Sequence, residues 1–172
     1  QHWLAEQALN WSGLPVVHVR PTVLQESFFF HAWAAEQIAR DGTIRLPFGS
    51  GRTSPVAAKD VAEAVVSVLL DPLQHVGKTY ELTGPRSQDL YALAGEYSAA
   101  LGRSVTYVDV SLDEWRDQEL RSRGLPEHVF DHLLTMAHLH AANRYDRLSP
   151  HIGAILGRPP RSLESMVQEN RE

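Results

Sequence analysis

The 172 residues carry a net charge of -5 at neutral pH, with 43% hydrophobic and 22% charged residues, the make-up of one ordinary globular domain. There is no cysteine, which excludes disulfides, thiolate metal sites and cysteine nucleophiles. The only lysines, Lys59 and Lys78, form no basic run, so no nucleic-acid partner is expected.

The longest apolar run, around Val61 to Leu70, is too short to span a bilayer, and no signal-peptide pattern is visible. No membrane partner is therefore expected, and the expected location is the cytoplasm. Gln1 already lies in a helical pattern, which predicts that further residues precede it.

His2 to Trp11 reads as a helix with Leu4, Ala8 and Trp11 on one face and Gly13 as its stop. Val16 to Val19 is a short β-branched strand, apolar on both faces apart from His18, as suits a parallel strand covered on both sides. His18 reads as a packed or edge histidine, since no second ligand lies nearby. Phe28, Phe29 and Phe30 are consecutive and cannot all face one core, so a cleft, a partner surface or a second layer must take part of them.

A helix through Ile38 stops near Asp41-Gly42, and Ile44 to Pro47 is a short strand. Gly49-Ser50-Gly51 is a turn; no helix start follows it and no Gly-Lys-Ser/Thr is present. Asp60 and Glu63 have the spacing of a helix-start pair, which predicts Asp60 as a cap. The helix from there to Leu70 is apolar nearly all round and is expected to be buried.

Thr79 to Thr83 is a strand closed by Gly84-Pro85. Ser87 is expected to open a helix that ends before Gly102. Val105 to Val110 is a strand. Ser111 and Glu114 form a capping box for a helix to Arg123, and a further helix follows Pro126 to about Ala142. Ser162 caps a short final helix. The pattern alternates helix and strand early and turns helical late.

His128 and His132 would share a helix face, but the motif between them lacks the glutamate of a zinc site, so a solvated face is the better reading. No metal site is expected. No Ser lies in a nucleophile elbow, no Tyr has Lys four residues on, and no glycine-rich phosphate loop follows a strand. Catalytic residues are not identifiable from the residues alone.

The segments together resemble the C-terminal half of an NmrA-like NAD(P)-binding protein, an atypical branch of the short-chain dehydrogenase/reductase superfamily. The resemblance rests on His2-x-x-x-Glu6, Ser12-Gly13-Leu14-Pro15 with Val19-Arg20-Pro21, and Val56-Ala57-Ala58-Lys59-Asp60-Val61-Ala62. It continues in Gly77-Lys78-Thr79-Tyr80-Glu81-Leu82-Thr83-Gly84-Pro85, Leu101-Gly102-Arg103 and Leu156-Gly157-Arg158-Pro159-Pro160.

It implies an α/β fold: the C-terminal portion of a Rossmann-like doubly wound parallel sheet plus a small, mainly helical substrate-side lobe, without the N-terminal half that holds the glycine loop. Sheet-associated segments are expected at about 1–30 and 55–86, and the lobe at about 31–54 and 87–172. The implied cofactor is NADP or NAD, with His2 as a ribose contact and Pro21, Thr22, Val23 and Leu24 beside the nicotinamide. Glu26-Ser27 stands where the family often has Glu-Asn, so an amide contact is not available there.

Phe28 and Phe29 are substrate-side candidates. The implied activity is an NAD(P)H-dependent oxidoreductase acting on quinone or azo-type acceptors, inactive from these residues alone. The alternative is a non-catalytic NAD(P)-sensing regulator. The partner is accordingly a small-molecule acceptor or a regulatory protein, with self-association expected through an exposed sheet edge.

Overall fold

The computed structural model describes residues 2–170. Two small parallel sheets organise it. β1 (His18–Pro21) pairs in parallel with β3 (Thr79–Leu82), with His18 opposite Thr79 and Pro21 opposite Leu82. β2 (Thr43–Leu46) pairs in parallel with β4 (Thr106–Asp109). Helix α1 (His2–Trp11) precedes β1, and α2 (Ala34–Asp41) follows a π-helical turn at Phe28–Trp33. Next come α3 (Ala58–Leu70) and α4 (Leu90–Leu101), then a short α5 (Leu112–Glu114) that runs on as a π-helical and a 3-10 turn to Arg123. The chain closes with α6 (Glu127–Ala141), α7 (His151–Leu156) and α8 (Leu163–Glu169). None of these helices is long and apolar enough to cross a membrane.

β1 starts two residues later than the apolar run suggested and takes in Arg20 and Pro21. The hydrogen bonds explain why proline fits there. His18 donates to Lys78 O at 3.0 Å and Thr22 to Leu82 O at 2.9 Å, so the even-numbered amides face β3. Pro21, at an odd position, faces the other edge, where its missing N–H removes no bond. Among the described residues that other edge of β1 is unpaired.

Two cores follow. The smaller joins Val56, Ala64, Val68, Tyr80, Leu82 and Ile152, and packs α3 and α7 on the β1–β3 sheet. The larger gathers the aromatic residues Phe29, Phe30, Trp33, Phe48, Tyr97, Tyr107 and Trp115 around β2 and β4. The segment after Pro21 crosses between them: Leu24 packs on the first and Val23 on the second.

Three expectations need correction. Helix α3 is not buried all round: Ala64 and Val68 face the core, while Val66, Leu69 and Leu70 are exposed, because only one of its faces meets other described residues. Asp60 does not cap α3; Ala57 occupies that position, and the Glu26 carboxylate accepts from the Ala58 amide at 3.0 Å. Asp60 lies within the first turn, fully buried, and holds the tail: Arg158 Nη2 donates to it at 2.7 Å, the Arg161 amide at 2.6 Å, and the Arg161 guanidinium as well. Helix α4 is opened by Asp89, whose side chain accepts from Ala92 N at 2.9 Å, and not by Ser87. The Ser111 and Ser162 caps do form, on Glu114 N and Ser165 N, both at 3.1 Å. Helix α7 was not anticipated; Ile152 sinks it into the smaller core.

A candidate functional site at the carboxyl ends of β1 and β3

The carboxyl ends of parallel strands leave the sheet's hydrogen-bonding pattern and open toward solvent, which is where α/β folds place ligands. In this chain a cleft of about 670 Å³ lies there, lined by His2, Trp3, Glu6, Val19, Arg20, Pro21, Glu81 and Arg147. Four separate stretches build it. Helix α1 contributes His2 and Glu6, four residues apart and so on one helical face. β1 contributes Val19 to Pro21, β3 contributes Glu81 opposite Arg20, and the loop between α6 and α7 contributes Arg147.

The cleft's charges are paired with one another. Arg20 donates Nε to Glu6 Oε1 at 2.8 Å, Nη2 to Glu6 Oε2 at 2.5 Å and Nη1 to Glu81 Oε1 at 3.0 Å. The hydrogen bonds from Arg20 hold the Glu6 carboxyl below its ordinary range, and those to Glu6 and Glu81 push the guanidinium further up. Arg147 is different: its nearest carboxylate oxygen, on Glu81, is 4.0 Å away, and its side chain is 61% exposed. Trp3 offers an indole 63% exposed. The arrangement can therefore hold a flat group against Trp3, Val19 and Pro21 and an anion at Arg147. It supplies no unpaired carboxylate for proton transfer.

Of the residues that sequence pointed to, His2 and Pro21 come together in this cleft. Thr22, Val23 and Leu24 turn inward. Thr22 Oγ1 donates to Ser54 O at 2.7 Å, Val23 O accepts from Val56 N at 3.0 Å, and Leu24 bridges to Val56. Phe28 is half-buried, with the Arg123 guanidinium 5.8 Å from its ring centroid. Phe29 lies in the aromatic core against Phe48 at 5.2 Å, so its ring has almost no surface to offer a substrate.

Sequence reasoning missed Trp3, Glu81 and Arg147. Glu6 carried a signal in its spacing from His2; Arg147, in a loop far along the chain, carried none. His128 and His132 are exposed on α6, and no group of three or more metal-binding side chains occurs among the described residues.

The fold is the C-terminal portion of a Rossmann-like α/β domain with a helical lobe. In sequence and fold the chain is similar to NmrA-like NAD(P)-binding proteins of the atypical short-chain dehydrogenase/reductase class, as the following comparisons show. No protein-family model matches it. It is 30% identical over 171 residues to an NAD(P)H azoreductase of Xenophilus azovorans, a match covering 96% of this chain and 57% of that protein. A solved NADPH-dependent quinone oxidoreductase of Escherichia coli superposes with a TM-score of 0.82 at 26% identity, over 99% of this chain and 60% of that one. NmrA, a negative transcriptional regulator solved with NAD, shares the fold with a TM-score of 0.69 at 17% identity, over 95% of this chain and 55% of that one. The chain thus spans about half the length of the curated relatives it matches.

Proposed function

We propose that these residues form the nicotinamide and acceptor side of an NAD(P)H-dependent oxidoreductase that reduces flat, quinone-like acceptors. The observation that carries this reading is the cleft at the ends of β1 and β3, where His2 and Pro21 meet an exposed indole. The relatives' names, an azoreductase and a quinone oxidoreductase, support it.

The residues fit one end of a dinucleotide and not the other. The apolar wall of Val19 and Pro21, with His2 beside it, suits a nicotinamide and its ribose. The chain contains no glycine-rich loop opening a helix, the usual cradle for a pyrophosphate. When bound, the dinucleotide supplies the hydride. The chain's own part is to orient and to exclude water. The Arg20 fork fixes α1 against β1, which sets where His2 and Trp3 stand. The Thr22 hydroxyl bonds lock the turn after Pro21, which sets the wall.

The charged pairs in the cleft also suit a second reading, a sensor that binds NAD(P) without turnover. One experiment separates them: NADPH oxidation with 1,4-naphthoquinone by the natural protein that carries these residues, alongside a binding titration with NADPH. Turnover supports the reductase. Binding without turnover supports the sensor. Neither overturns both. Residues 1–172 alone are expected to bind NADPH more weakly than micromolar and to show no activity.

A further inference from the structure

We propose that Arg147 determines specificity in this cleft: it binds an anionic substituent, a sulfonate or carboxylate, on a flat aromatic acceptor. The inference rests on the reading of the cleft as the acceptor side.

The two guanidinium groups of the cleft differ in state. Arg20 is spent, with three hydrogen bonds to Glu6 and Glu81. Arg147 faces the same cleft, and its only carboxylate neighbour among the described residues is Glu81 at 4.0 Å, a distance that permits attraction but no hydrogen bond. Its fork of donors is open to a ligand, and a fork matches a planar or tetrahedral oxyanion better than a point charge does.

The backbone presenting Arg147 is tied on both sides. On one side of it, Asp146 accepts from the Ser87 hydroxyl at 2.6 Å and lies 3.7 Å from Arg52 Nε. On the other, the Ser149 amide donates to Thr83 Oγ1 at 3.1 Å and the Ser149 hydroxyl to Glu81 O. The loop is therefore tied at Asp146 and at Ser149, the latter to the carboxyl end of β3, on either side of Arg147. A group held that way can close on a ligand with little loss of backbone entropy.

The carboxylates and guanidinium groups lining the cleft cancel: Glu6 and Glu81 against Arg20 and Arg147. Because Glu6 and one oxygen of Glu81 are held by Arg20, Arg147 is the guanidinium of the cleft least engaged by carboxylates. A dinucleotide also carries anions, on its phosphates. Those are held best by backbone amides at a helix start, and the KM for NADPH tells the two sources apart. Next to the exposed Trp3 ring, the ligand that fits is an aromatic plane with one charged corner.

The test compares 1,4-naphthoquinone-2-sulfonate with 1,4-naphthoquinone as acceptors for the natural protein carrying these residues, wild type and Arg147→Gln, with NADPH as reductant. Loss of a charged hydrogen bond should raise KM for the sulfonate about tenfold more than KM for the neutral quinone. Arg147→Lys should restore part of the difference. The sulfonate KM of the wild type should rise with salt more steeply than that of Arg147→Gln. Turnover with the same sulfonate-to-neutral ratio in both proteins overturns the proposal and leaves the reductase reading standing. A rise confined to the KM of NADPH overturns it too, since the anion is then the dinucleotide's. Without any turnover the reductase reading fails, and equilibrium titration with naphthalene-2-sulfonate still decides: equal affinity in both proteins overturns the proposal, and weaker binding by Arg147→Gln supports it.

Discussion

Arg20 on β1 grips Glu6 on α1 through two hydrogen bonds, 2.8 Å from Nε to Oε1 and 2.5 Å from Nη2 to Oε2. The bond matters because α1 has no buried residue; Trp11 on the same helix is 76% exposed. A helix without a buried face depends on such side-chain ties. Arg20→Lys keeps the charge and loses the fork. The expected outcome is several-fold faster hydrogen exchange of the α1 amides, with little change at α4, measured by mass spectrometry. Acid should act the same way. A carboxyl held low in the folded state, as Glu6 is, stabilises above the ordinary value of 4.5, and that contribution is lost as pH falls through its folded value.

Gly51 lies under the carbonyl of His140. A Cβ there would stand 1.9 Å from His140 O and 2.8 Å from its carbonyl carbon, and neither backbone atom can swing aside as a side chain could. Gly51→Ala is expected to destabilise by about 2 kcal/mol or more, or to prevent folding. Gly95, within α4, meets nothing within 4 Å, so Gly95→Ala should stabilise by about 0.5–1 kcal/mol. Urea unfolding of the two variants should therefore move the midpoint in opposite directions.

Asp60 is fully buried and receives both Arg158 and Arg161. Removing the carboxylate leaves Arg158 and Arg161 held by the Glu63 carboxylate and takes the acceptor from the Arg161 amide. Asp60→Ala is expected to cost about 2–3 kcal/mol in chemical unfolding, the worth of charged hydrogen bonds lost with Glu63 still in place. Asp60→Asn should cost less, because the amide oxygen still accepts from the Arg161 amide, now 2.6 Å from Asp60 Oδ2.

His140 is buried beneath the aromatic core, stacked 4.1 Å from Phe48. Nδ1–H donates to Met136 O at 2.8 Å, and Nε2 has no partner. Burial pulls its pKa from 6.5 down to about 4. The folded protein therefore binds the neutral ring, and the unfolded chain takes up the proton first as pH falls. Stability should be full above pH 6.5, decline from there toward pH 4, and be lower by about 2 kcal/mol at pH 5. Melting temperature against pH is the measurement. His140→Phe should flatten the profile between pH 6.5 and 4.5, where few carboxylates titrate.

Much of the local structure was legible before any tertiary contact was known. The stops at Gly42 and Gly102, the Ser111 and Ser162 caps and the parallel character of β1 are each decided within a turn or two of chain, by a left-handed residue, a hydroxyl reaching its own helix amide, or a β-branched run. The Asp60 and Ser87 cap assignments failed where a local signal met a stronger distant partner or a better neighbour. Arg158 and Arg161 claim Asp60, Glu26 takes the α3 start, and Asp89 takes that of α4. The crowding of Phe28, Phe29 and Phe30 was visible, but which ring would be buried depended on Phe48 and Trp115 arriving from elsewhere.

Sequence alone determined the family resemblance and the helix ends at Gly42, Gly102, Ser111 and Ser162, because each is carried by short-range order along the chain. Only the tertiary structure decided that Thr22, Val23 and Leu24 turn inward, and that Trp3, Glu81 and Arg147 join His2 in one cleft. The physical reason is that β1–β3 pairing and the Ser149 bonds to β3 bring together residues whose separation along the chain records nothing of their separation in space.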